Sequence, residues 1–168
     1  MPPEEGLQIH TIWVARAISV MFLEIKTIGG YRQDPLKWHP NGLAIDVMIP
    51  NYHSPEGIEL GNQIAGFALA NAKRWGGVLH VIWRQGFFYP GIGAPSWTAD
   101  YGNETANHFD HVHIATDGGG YPTGHETYFL VHAFRVGLTG AYRENTRGDA
   151  GCRGHGHPES ADRVRRID

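Results

Sequence analysis

The sequence predicts an α+β domain, a small and mainly antiparallel sheet backed by two main helices. Three observations carry this expectation. Apolar residues recur at three- and four-residue steps over residues 7–22 and 55–75, residues 43–49 alternate in polarity, and short runs of branched and aromatic residues occupy 78–83, 86–89 and 111–115. The first period is that of a helix with one buried face, and the second that of a half-buried strand.

In chain order, Ile12, Ala15, Ile18 and Phe22 fall on one face of the first helix. Residues 25–28 read as a short strand that runs into Gly29-Gly30-Tyr31-Arg32, where paired glycines mark a turn and leave Arg32 at the strand end. From 43 to 49, Leu43, Ile45, Val47 and Ile49 share one face and Ala44, Asp46 and Met48 the other, so Asp46 points away from the main apolar face. Ser54-Pro55-Glu56 supplies a cap, a first-turn proline and an acidic first turn to the second helix. Its stripe of Leu60, Ile64, Phe67, Ala68, Ala72 and Trp75 ends at Gly76-Gly77. Two short strands at 78–83 and 86–89 precede a Gly- and Pro-punctuated loop over 90–107, of a length that usually signals function or mobility. A last strand at 111–115 ends before Gly118-Gly119-Gly120. A further helix or strand is expected around Tyr128-Phe129-Leu130-Val131, and from about 138 glycines and charges predict a poorly ordered tail.

With 168 residues and 41% hydrophobic content the chain can bury one core. The net charge of -3 and 18% of charged residues argue against a nucleic-acid or anionic-membrane binder, which needs a basic face. Cys152 is the single cysteine, which excludes an internal disulfide and a cysteine-based zinc site. The N-terminus has no signal-peptide pattern and no apolar run is long enough for a membrane span, so action at a cell wall requires delivery by lysis or virion machinery; otherwise the protein is expected in the cytoplasm.

The unusual count is eleven histidines, the side chain that supplies metal ligands and acid-base groups near neutral pH. His39 and Asp46 would stand roughly 20 Å apart on a fully extended chain. Pro40-Asn41-Gly42 lies between them, and this turn chemistry lets His39 fold back over the strand that carries Asp46. Downstream, His108-Phe109-Asp110-His111-Val112-His113 places His111 and His113 on one strand face. Two imidazoles and a carboxylate, with a fourth position left to water, form a known catalytic zinc set. Hydrolysis then needs a neighbouring group to take a proton from water and return it to the leaving amine.

Gly30-Tyr31-Arg32, His39-x-x-Gly42-x-Ala44-x-Asp46 and His108-x-x-His111-x-His113 stand in order. Together they resemble the LAS zinc metallopeptidases, a group of D-Ala-D-Ala carboxypeptidases, phage L-alanyl-D-glutamate endolysins, penicillin-insensitive murein endopeptidases and the hedgehog domain. The stretch from Gly6 to about Ala115 looks most like an actinobacterial or mycobacteriophage branch of the carboxypeptidase-like clan, through Ala44-Ile45-Asp46-Val47-Met48-Ile49-Pro50-Asn51 and Val81-Ile82-Trp83-Arg84-Gln85. The resemblance implies a hedgehog- and DD-peptidase-like fold and a zinc peptidase domain over residues 1–120, followed by a C-terminal extension over 121–168. It implies one zinc ion per chain held by His39, Asp46 and His113, with Arg32 contacting substrate or stabilising an oxyanion. The implied substrate is the stem peptide of bacterial peptidoglycan. For the acid-base group it offers three positions, ranked His111, then Asp110 as a close second, then His108; strand parity favours His111, because Asp110 faces the other way unless the strand begins after it.

Competing expectations are a non-catalytic zinc domain that binds peptidoglycan or a protein partner, and a structural module of a phage tail. For Arg32 the alternative is a salt bridge with Asp34. Trp83, Phe88, Tyr89, Trp97 and Tyr101 are expected in the core more than along a groove. Cys152-x-x-His155-x-His157 reads as part of the tail, and His10, His53, His80, His125 and His132 are assigned no role.

Overall fold

The protein is described by a computed structural model that covers residues 3–126. The expectations for 127–168, including the 128–131 element, the tail and the Cys152–His157 motif, lie outside the described residues.

Helix α1 (Ile9–Met21) buries Ile12, Val14, Ala15 and Ile18. Strand β1 (Ile28–Gly29) follows, and then β2 (Ala44–Met48). Helix α2 (Pro55–Ala70) opens on Ser54, whose hydroxyl accepts the Gly57 N–H at 3.0 Å. It ends about five residues before the predicted stop, at Asn71, whose side-chain amide donates to the Phe67 carbonyl at 2.9 Å alongside its backbone N–H. Ala72 and Trp75 stay buried in the turn beyond. Strands β3 (Val78–Trp83) and β4 (Gly86–Phe88) form a hairpin. The expected loop after it contains one more short strand, β5 (Ser96–Trp97), which pairs with β4. Strand β6 is His111–Thr116.

All pairings are antiparallel, and the six strands lie in the order β1-β2-β6-β3-β4-β5. The architecture is therefore α+β with two helices and a six-stranded antiparallel sheet among the described residues. Ile45 and Val47 on β2, Val112 and Ile114 on β6, and Val81 and Trp83 on β3 join α1 and α2 in one core. Small residues let α2 pack closely: a Cβ on Gly61 would come within 2.2 Å of the Trp83 ring of β3, and one on Gly57 within 2.2 Å of the Asn51 carbonyl oxygen in the turn before the helix. Across that contact the Trp83 indole N–H donates to Asn62 at 3.0 Å. No helix among the described residues is long and apolar enough to cross a membrane.

β6 lies between β2 and β3 and is buried along its whole length. Alternation sends Val112 and Ile114 to the helices and His111 and His113 to the other face, where Asp46 lies directly opposite His113. A polar centre is thus laid on the sheet face that the helices leave, and loops cover it.

Candidate metal centre

His39, Asp46 and His113 meet on that face, each nearly buried, with one ligand atom from each within 4.8 Å of the others. The 35–42 turn delivers His39. It is closed by Leu43 N–H to the Trp38 carbonyl at 2.8 Å and Gly42 N–H to the His39 carbonyl at 3.1 Å. Gly42 has a φ of 64°, and a Cβ there would lie 2.1 Å from the Gly6 carbonyl oxygen, so only glycine fits between the turn and the chain entering α1.

His39 Nδ1–H donates to the Gly30 carbonyl at 2.9 Å, which leaves the lone pair on Nε2. That Nε2 is buried without a hydrogen-bond partner, yet it lies 3.3 Å from Asp46 Oδ2. Two acceptors facing one another at this distance repel unless a cation joins them. The other Asp46 oxygen accepts from His113 Nδ1 at 2.8 Å. The 3.3 Å between His39 Nε2 and Asp46 Oδ2 equals the roughly 3.3 Å expected between ligand atoms of a tetrahedral ion with bonds of about 2.0–2.1 Å. The residues therefore fit a metal ion.

Burial alone would raise the Asp46 carboxyl, but the hydrogen bond from His113 and the charges of the nearby histidines hold it well below the usual carboxylate range. Burial pushes His113 down as well, which favours the neutral imidazole that a metal requires. Arg32 Nη1 donates to Asp46 Oδ2 at 2.7 Å, and Nη2 lies 3.6 Å from Asp34, so the expected salt bridge with Asp34 forms beside a closer one to Asp46. About half of its side chain remains exposed, at 46%.

The three acid-base candidates are placed differently. His111 Nε2 is 3.6 Å from Asp46 Oδ1, at the edge of the cluster. Its Nδ1 is 2.6 Å from Asp110 Oδ1, an arrangement in which Nδ1–H donates and Nε2 is left free to accept a proton. Asp110 precedes the strand, and its second oxygen accepts from Thr105 Oγ1 at 2.7 Å. Burial opposes its ionisation, but the Thr105 and His111 hydrogen bonds lower it below the usual value. Asp110 thus orients His111 and does not itself enter the cluster. His108, at a φ of 56°, packs its ring 4.8 Å from His111 and 5.7 Å from His113.

The residue that the sequence reading passed over is His80. Its ring stacks on His113 at 5.7 Å, meets Phe87 at 4.5 Å and takes the edge of Trp38 at 4.7 Å. No motif marks it; its place follows from β3 lying beside β6. His10 and His53 instead pair with Asp117 and Glu104. Of the aromatics expected in the core, Trp83 lies in it and Phe88 packs against it, whereas Tyr89, Trp97 and Tyr101 are exposed, because they lie at the end of β4, on the edge strand β5 and in the loop beyond.

A family model described as VldE, C-terminal domain, matches residues 3–109. The chain belongs to this family. The span shared with the VldE C-terminal domain includes Arg32, His39, Asp46, His80 and His108 and stops just before Asp110, His111 and His113. Comparisons with curated proteins and with solved structures found no match.

His80 and His108 give the metal-free protein a defined acid response. Burial, followed by the charges of neighbouring histidines, depresses each to about 4. The unfolded chain therefore binds more protons than the folded one between about pH 6.5 and 4, and stability falls as pH drops through that window. Each histidine contributes a slope of about 1.4 kcal/mol per pH unit there. Urea melts in chelator at pH 7, 6, 5 and 4.5 should show this decline, and His80→Phe should make it shallower. A pH-independent midpoint would contradict it.

Proposed function

We propose that the protein is a zinc-dependent peptidase that hydrolyses a peptide bond in bacterial peptidoglycan, within a hedgehog- and DD-peptidase-like frame. The observation that carries the reading is the unpartnered His39 Nε2 facing Asp46, beside a histidine whose free nitrogen is aimed at the same carboxylate. His39, Asp46 and His113 would hold the ion. When bound, zinc supplies a Lewis acid that polarises a scissile carbonyl and makes water a nucleophile near neutral pH.

The chain's own groups do the rest. His111 Nε2 takes the proton of the attacking water and returns it to the leaving amine. Asp110, ionised and bonded to Nδ1, fixes the ring and stabilises the imidazolium formed between those transfers. Arg32 keeps Asp46 ionised and, from its exposed edge, binds the peptide or the developing oxyanion. His80, His108 and Trp38 wall the centre and limit access of bulk water.

Mass spectrometry of muropeptides after digestion of purified walls tests the reading. The expected result is a new pair of termini within the stem peptide, formed with zinc and suppressed by a chelator. Walls left intact by zinc-loaded protein would refute hydrolysis and favour a binding or structural role.

A further inference from the structure

A second polar cleft, of about 430 Å³, lies where the 50–54 loop, the turn between β3 and β4 and the 100–109 segment meet. Its cation is Arg84. Arg84 and Gln85 form the hairpin turn with φ of 49° and 63°, and their N–H groups donate to the carbonyls of His108 at 2.8 Å and Asn107 at 3.0 Å. Two non-glycine residues held in the left-handed region cost stability that the surrounding structure must supply. Here that conformation fixes Arg84 against the segment that leads into the metal centre.

The guanidinium lies 4.7 Å from the centre of the Phe109 ring and 5.8 Å from that of Trp83. Among the described residues its one polar contact is a long 3.5 Å approach to the Tyr52 carbonyl. Among the described residues no ion pair includes Arg84. The carboxylates lining the same cleft are engaged elsewhere. Asp100 accepts from Asn107 Nδ2 at 2.7 Å and from Gly102 N–H at 2.8 Å, and Glu104 takes the Tyr52 hydroxyl at 2.8 Å and lies 3.1 Å from His53. The cleft thus presents a planar cation backed by aromatic rings beside two anchored anions. A simple anion would meet the anions, and a simple cation would meet Arg84; a group carrying both charges on one carbon satisfies both.

We propose that this cleft binds a free amino-acid end, its carboxylate on Arg84 and its ammonium facing Asp100 and Glu104. A guanidinium fork matches a carboxylate with two parallel hydrogen bonds, and the rings limit its loss of hydration. Phe109 and Asn107 flank His108, whose ring touches that of His111, so the bound end would sit beside the reacting bond as an anchor. The source of that end rests on the peptidase reading: a stem peptide whose diamino acid keeps one amine and one carboxylate free.

The test is calorimetric binding of three synthetic stem-type peptides to the full zinc-loaded chain, one with the free amino-acid end, one with that carboxylate amidated and one with that amine acetylated. Binding of the unmodified peptide, with each modified copy at least 10-fold weaker, is the expected result. Arg84→Met, which keeps the stem over Phe109, should weaken the unmodified peptide about 10-fold and leave the amidated one unchanged, and Arg84→Lys should recover part of the loss. The comparison of peptides on the unaltered protein stands even if a variant fails to fold. Equal binding of the three peptides, no binding of the unmodified one, or an unaltered affinity in a folded Arg84→Met would overturn the proposal. Selective binding without hydrolysis would sink the peptidase reading alone, and hydrolysis without selectivity would sink this inference alone.

Discussion

Replacing His111 by alanine is expected to lower peptidoglycan hydrolysis by about 100-fold to 10,000-fold while zinc stays bound, the usual range for losing a general acid-base group. The geometry gives the reason. His111 Nε2 is the one histidine nitrogen at the edge of the cluster whose ring is oriented from behind by a carboxylate, Asp110, at 2.6 Å. Asp110→Asn leaves the imidazole in place but removes the charge that sets its tautomer and supports its protonated form. The expected loss is smaller, about 10-fold to 100-fold, as for other partners that orient a functional group. The double variant should be close to His111→Ala alone, since both changes act on one proton transfer. Steady-state hydrolysis with metal content measured on each variant checks this. A zinc-loaded His111→Ala enzyme with near-normal turnover, together with a large loss in Asp110→Asn, would move the proton-carrying role to Asp110.

Asp46→Ala is expected to abolish zinc binding and hydrolysis together. Asp46 stands between His39 and His113 and also holds Arg32, so its loss removes a ligand and the charge that gathers the other two. In the metal-free state the variant should be less stable by roughly 1–3 kcal/mol, the cost of leaving buried polar groups without a partner. In the loaded state the gap to the unaltered protein should widen, because an ion at about 1,000 times its Kd adds roughly 4 kcal/mol to the species that binds it. Elemental analysis and melting curves with and without chelator separate the two contributions. The unaltered protein should lose thermal stability in chelator and Asp46→Ala should not. Equal zinc in both would sink the ligand assignment.

Much of the fold was legible in the residues themselves. The helical stripes of α1 and α2, the cap at Ser54 and the alternation of β2 are local properties, since backbone geometry repeats with a fixed period and the buried face must be apolar along that period. The same alternation separated Asp46 from Ile45 and Val47, and His111 and His113 from Val112 and Ile114. The Pro-Asn-Gly turn that returns His39 to the sheet was readable for the same reason: its chemistry is contained in three consecutive residues.

What lay beyond the sequence is what depends on which strands become neighbours. The early end of α2 at Asn71, and β5 inside a segment that reads as loop, depend on individual hydrogen bonds and on an available edge of β4. The company of His80 has no signature along the chain, because it arises from β3 pairing with β6 across a separation of some thirty residues. Parity favoured His111 but could not show its contact with Asp110, since Asp110 lies one residue outside the strand and its side chain is free of the alternation rule. Local sequence determined which residues could serve a metal and on which face; only tertiary packing, which is non-directional in its driving force and selective in its fit, decided which nitrogen faces which oxygen.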